Sequence, residues 1–189
     1  MAEIKPTQEA NKKFKPKELS ELLNTKFPPQ RWLIEGLVPL GGITLLSGAP
    51  ESYKTWVMLD AVIAAAEGRH LFGKIPVAKT KVLIIDEESG GRILQERFIS
   101  LRASSNSPIY LESMRGAIFT DEYASGLVKW CVKSEVGLVV IDSLSRIHRG
   151  DENTAKDISA LFANIRKLTN SGISVIVLHH NRKSTPGFS

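Results

Sequence analysis

The chain has 189 residues, of which 42% are apolar, 24% charged and 7% aromatic. A domain of that length buries about 70% of its unfolded surface and needs no disulfide or metal staple, and the composition excludes a wholly disordered chain. The single cysteine, Cys131, excludes an intrachain disulfide and fits a reducing, cytoplasmic setting. The net charge of +5 is uneven: residues 1–17 hold five lysines against two glutamates, and residues 164–189 hold four cations and no acid, which leaves −2 between them. A basic margin of this kind meets phosphates or simply aids solubility.

The N-terminus carries no apolar signal segment, and the apolar stretch 56–66 is interrupted by Asp60 and far short of the ~20 residues of a spanning helix. No membrane role is expected. Residues 1–30 read as a basic arm with a short helix near 17–24, broken by Pro28 and Pro29. Residues 31–189 read as one domain, opened by an extended lead-in over 31–39.

From there, short apolar runs alternate with helical patterns. Strands are predicted at 43–46, 81–86, 136–142 and 174–179, each a nearly continuous apolar run of the kind buried on both faces. Residues 109–111 and 117–119 predict one or two further short strands. Helical stripes join Leu59, Val62, Ile63 and Ala66; Leu94, Phe98 and Leu101; Tyr123, Leu127, Trp130 and Cys131; and Ile158, Leu161, Phe162 and Ile165. All four are expected in the core. The alternation predicts an α/β fold, a mostly parallel sheet with helices on both faces.

Ligands of such sheets bind at the carboxyl ends of the strands. After the first run comes Ser47-Gly48-Ala49-Pro50-Glu51-Ser52-Tyr53-Lys54-Thr55-Trp56, which matches the phosphate loop G-x-x-x-x-G-K-[ST] except that Tyr53 replaces the second glycine. Backbone N–H groups of residues 48–56, Pro50 excepted, would wrap a polyphosphate at a helix N-terminus. Lys54 would reach the outer phosphates and Thr55 would hold Mg²⁺. The run 82–85 ends in Asp86-Glu87-Glu88, which would raise proton affinity by mutual repulsion, activate water, or merely cap the next helix. The run 139–141 ends in Asp142, a candidate Mg²⁺ ligand, and 174–178 ends in His179-His180-Asn181. With no third ligand at suitable spacing, the histidines are not expected to bind zinc.

These residues together resemble the RecA-like P-loop ATPases, and among them the RepA-type replicative helicase and primase-associated ATPases. The marks of the resemblance are Gly36-Leu37-Val38-Pro39-Leu40-Gly41-Gly42, Ser52-Tyr53-Lys54-Thr55-Trp56, Asp86-Glu87-Glu88, Asp151-Glu152-Asn153 and His179-His180-Asn181-Arg182-Lys183. The resemblance implies ATP and Mg²⁺ as ligands, single-stranded DNA as a partner, and a homo-oligomer, a hexameric ring among the options. It implies Glu88 as the catalytic carboxylate with Glu87 as the alternative, Asp142 as the metal-side acid, and His180, with His179 second, as the link from γ-phosphate to DNA. Arg146 and Arg149 fall, by position, where related rings carry a nucleic-acid loop; solvated loop charges are the other reading. The arginine finger of such rings has no counterpart in this sequence, and the chain is expected to lack the C-terminal part of such cores.

Overall fold

The computed structural model describes residues 15–49, 51–147 and 155–180, with the side chains of 155–157 and His180 outside the description. Pro50, Arg149, the Asp151-Glu152-Asn153 run and Asn181-Arg182-Lys183 lie outside the described residues. The chain divides into two units, Met1–Gln30 and Arg31–Ser189. In the first, helix α1 (Leu19–Asn24) buries no residue.

The second unit opens with an antiparallel pair, β1 (Trp32–Ile34) and β2 (Val38–Pro39), where an extended lead-in is predicted. Strand β3 (Ile43–Gly48) then leads through the glycine-containing loop into α2 (Lys54–Glu67). The order continues β4 (Lys81–Asp86), α3 (Gly91–Ser100), β5 (Ile109–Ser113), α4 (Asp121–Ser134), β6 (Val136–Asp142), a 3-10 turn (Leu144–Arg146), α5 (Ala155–Asn170) and β7 (Ser174–His180). The five strands β3-β7-β6-β4-β5 pair in that order, all parallel.

Side chains alternate across a strand, so each central strand feeds two cores. Val82, Ile84, Leu138, Val140, Ile176 and Leu178 pack with Leu59 and Val62 of α2 and Leu94 of α3. Their neighbours Leu83, Ile85, Val139, Ile141, Val175 and Val177 pack with Leu127 and Cys131 of α4 and Leu161 and Ile165 of α5. Helices therefore cover both faces, as the apolar runs require. Burial raises the Cys131 thiol to about 11, which makes it an inert core group.

Two expectations are corrected. Residues 117–119 form no strand; Ala117 and Phe119 are buried there because Glu87 accepts from the Ala117 N–H and Ile147 accepts from the Phe119 N–H. Trp130 is not a core residue. It is 40% exposed, and its ring meets Tyr110 edge-on at 5.2 Å. The sheet ends also differ from its centre: in β3, the edge strand next to β7, Leu45 is half-exposed.

Ile84 is fully buried in the central strand β4, and truncation leaves a cavity that the flanking strands cannot collapse around. Ile84→Ala is expected to cost about 2–5 kcal/mol in denaturant unfolding.

Candidate functional site

Parallel register places the ends of β3, β7, β6 and β4 side by side. Gly48 pairs with His180, Ser47 with His179, and Asp86 with Asp142. The four chemical strand ends read from the sequence thus share one edge.

The loop after β3 turns through two left-handed residues, Glu51 at φ 63° and Tyr53 at φ 60°. The second glycine of the phosphate-loop pattern supplies this conformation without a Cβ clash. Tyr53 adopts it with a side chain, at a cost of about 1–2 kcal/mol, and 74% of that side chain faces solvent. The departure from the pattern changes the side chain but keeps the turn. Gly48 leaves little room for a side chain: a Cβ there would meet Ser52 Oγ at 3.0 Å and Lys54 Cδ at 3.4 Å, and both side chains would have to shift by a few tenths of an ångström.

Lys54 begins α2 and is buried. Its Nζ donates to Gly48 O at 3.0 Å, Ala49 O at 2.5 Å and Ser52 Oγ at 3.2 Å. The ammonium is held inside the loop by acceptors that phosphate oxygens can replace. Glu51, Ser52, Tyr53, Lys54, Thr55 and Trp56 line a cleft of about 360 Å³ whose far side is Glu88, Ser89 and Arg97.

The three acids after β4 have separate fates. Asp86, fully buried, accepts from the N–H groups of Glu88, Ser89 and Gly90 and from Ser113 Oγ at 2.7 Å. Glu87 accepts from the N–H groups of Arg115, Gly116 and Ala117 at 2.9–3.1 Å, pinning the loop after β5. Glu88 is the acid that lines the cleft.

Asp142 is buried, and neither carboxylate oxygen has a hydrogen-bond partner among the described residues. Desolvation first, then the charges of Glu88 and Asp86, push it up to about 7. A buried carboxylate with two unpartnered oxygens among the described residues is the donor chemistry of a hard divalent cation. The residues present therefore fit Mg²⁺.

Arg97 is the residue the sequence did not disclose. It lies on α3, its Nη1 donates to Ser89 Oγ at 3.1 Å, and its guanidinium sits 5.9 Å from the centre of the Trp56 ring. Its charge lowers the proton affinity of Asp142, as does that of Lys54. Nothing in its local pattern distinguishes it from the surface cation Arg92 five residues earlier. His180 reaches the site through its backbone register with Gly48, and the described part of its neighbour His179 has a buried Nδ1 without a hydrogen-bond partner among the described residues. Arg146 is exposed in the 3-10 turn after β6, whose first residue, Leu144, is buried.

A parallel sheet with a strand-loop-helix phosphate cradle, a buried lysine and two acidic strand ends defines a P-loop α/β protein of RecA-like fold. The chain belongs to the AAA domain family (AAA_25), a family of P-loop ATPases, with residues 8–186 matched. Its fold is similar to that of a KaiC-like protein from the hyperthermophilic archaeon Pyrococcus horikoshii OT3, at a TM-score of 0.60 and 20% identity over 81% of this chain and 72% of the other. No curated relative matches the sequence. Among the described residues no helix is long and apolar enough to cross a membrane.

Two predictions follow from the loop and the acid. Tyr53→Gly is expected to preserve or raise stability by up to about 1 kcal/mol, whereas Tyr53→Val, β-branched at φ 60°, is expected to lose at least about 1 kcal/mol in thermal melts. Asp142 has an ordinary carboxylate pKa near 3.9 when unfolded and about 7 when folded. Between those values the native state holds a proton the unfolded chain has released, so stability falls as pH rises through that window and levels off above it. In the metal-free protein Asp142→Asn is expected to be more stable at pH 8, by on the order of 2 kcal/mol. Its advantage should vanish below about pH 4, and denaturant titrations across pH would show this.

Proposed function

We propose that this chain binds Mg-ATP in the cleft between the β3–α2 loop and the end of β4, hydrolyses its γ-phosphate, and acts as a DNA-linked motor of the RepA-type helicase kind. The observation that carries the hydrolytic reading is the buried Asp142 carboxylate, without a hydrogen-bond partner among the described residues and within reach of the charges of Glu88, Arg97 and Lys54 from the cleft.

The chemistry follows from the residues. The N-terminus of α2 and the loop N–H groups receive the phosphates, and Lys54 exchanges the Gly48 and Ala49 carbonyls for β- and γ-oxygens. Thr55 and Asp142 would hold Mg²⁺. When bound, the ion neutralises charge on the phosphate oxygens. Glu88 takes the proton from the water that attacks the γ-phosphate. It suits this role because it is the one of the three acids after β4 that lines the cleft. Arg97, steadied by Ser89 and Trp56, adds a cation to the same cleft from within the chain. His180, whose backbone pairs with Gly48 in register, would report the γ-phosphate to the rest of the molecule.

The DNA partner rests on the resemblance of the motifs and on the lysines of residues 1–17. A ring of identical subunits, hexameric among the options, rests on the resemblance alone.

Turnover by the purified chain, with and without single-stranded DNA, tests the proposal. Lys54→Ala is expected to abolish nucleotide binding. Glu88→Gln should keep binding and lose turnover by about 10²–10⁴-fold, whereas Glu87→Gln should act through lost stability. Turnover that DNA does not change would remove the motor reading, and binding without turnover would make the protein a nucleotide switch.

A further inference from the structure

Away from the nucleotide cleft, strand β5 and helix α4 enclose a groove of about 470 Å³. Two of its lining residues are buried and apolar: Leu83, which pairs with Tyr110 across the sheet, and Leu127 of α4. The rest of the lining is not a simple apolar surface. Tyr110 and Glu112, two residues apart on one face of β5, line one side, and Tyr123, Gly126 and Trp130 of α4 line the other. Trp130, expected in the core from its helical period, is here part of a groove wall.

Three features give the groove a definite chemistry. First, the rings of Tyr110 and Trp130 meet edge-on, with centroids 5.2 Å apart and planes at 89°, and each residue is more than a third exposed. Rings at right angles stand like two sides of a box, and an exposed aromatic face attracts a cation. Second, Glu112 brings a carboxylate into the same groove. Tyr123 donates its hydroxyl to Glu112 Oε1 at 3.1 Å, and its own ring is steadied by Phe119 at 5.2 Å, so the carboxylate is oriented. Burial, then the Glu112 charge, raise the proton affinity of that hydroxyl and keep it a donor. Glu112 Oε2 has no hydrogen-bond partner, and no cation pairs with Glu112, among the described residues. Third, Gly126 stands in the middle of α4, where only proline is a poorer helix former. A Cβ there would meet nothing within 4 Å, so packing within the described residues does not call for glycine. Its effect is to leave the helix side of the groove open.

We infer that this groove is a binding site for a primary alkylammonium ion, a small aliphatic amine in its protonated form. The ammonium donates to the open oxygen of Glu112 beside the Tyr110 and Trp130 rings, and the alkyl stem lies on Leu83 and Leu127. Charge complementarity selects this class. An anion is repelled by Glu112 and by the ring faces, and a neutral apolar ligand would desolvate the carboxylate without giving it a partner. The net charge of the chain is +5, so its overall field opposes a cation and retention has to come from the groove itself. No residue of the nucleotide cleft takes part.

Titration of the full chain with n-pentylammonium chloride, followed by calorimetry and by saturation-transfer NMR on the ligand, tests the inference. The comparison ligands are 1-pentanol, which has the stem without the charge, and tetramethylammonium, which has the charge without an N–H. Pentylammonium is expected to saturate a single site at about millimolar concentration, and each comparison ligand to bind about tenfold or more weakly. Glu112→Gln keeps an acceptor for Tyr123 and removes the charge, and it is expected to weaken pentylammonium about tenfold or more. Gly126→Leu fills the groove while improving helix propensity, so it should melt at or above the wild-type temperature and lose binding to a similar extent. Absence of saturable binding by the wild type would overturn the inference. Equal binding of 1-pentanol would reduce the groove to an apolar surface, and equal binding of tetramethylammonium would remove the hydrogen bond to Glu112; either result overturns it. Variants that bind like the wild type would place the cation elsewhere and overturn it too.

Discussion

Carboxylates gathered at the ends of two adjacent parallel strands are the constraint around which this site is arranged. Asp86 and Asp142 stand opposite each other in the β4–β6 register, and both are buried. Two desolvated acids at strand spacing cannot both remain charged without compensation. The chain compensates one of them. Asp86 accepts four hydrogen bonds, three from the turn that starts α3, and so also fixes where Glu88, Ser89 and Arg97 stand. Asp142 is left with its cost. Without a hydrogen-bond partner among the described residues, Asp142 meets that cost by a raised proton affinity, which a bound cation would relieve.

The same economy governs the phosphate loop. Lys54 is buried, but its ammonium has carbonyl and hydroxyl acceptors from Gly48, Ala49 and Ser52. Tyr53 holds the turn that glycine would otherwise make, at a local strain the rest of the α2 packing sustains. Because α2 is anchored by Met58, Leu59, Val62 and Ala65 in the core, its N-terminus is a rigid platform.

Much of this was legible in the residues because buried parallel strands write themselves as apolar runs and place their chemistry where the run stops. Lys54, Asp86, Glu88, Asp142 and the two histidines all follow such runs. What escaped had no such marker. Arg97 lies among polar residues in mid-helix, and only the fold of α3 over Trp56 brings it into the cleft. Trp130 obeyed the helical period of a core stripe, yet period alone tells which residues share a face and not what that face meets. Residues 117–119 alternate like a strand, but their N–H groups are claimed by Glu87 and by Ile147, not by a neighbouring strand. The division of labour between Glu87 and Glu88 is likewise a matter of backbone geometry that adjacent identical letters cannot express.

The bonds that Lys54 makes within its own loop also bear on the choice of ligand. A polyphosphate approaching the empty cleft meets a cation already engaged by the Gly48 and Ala49 carbonyls and the Ser52 hydroxyl. In the proposed nucleotide complex those acceptors would give way to phosphate oxygens, so a nucleoside without phosphates would offer Lys54 nothing in their place, and selection for the triphosphate would begin at this one ammonium group rather than at the base.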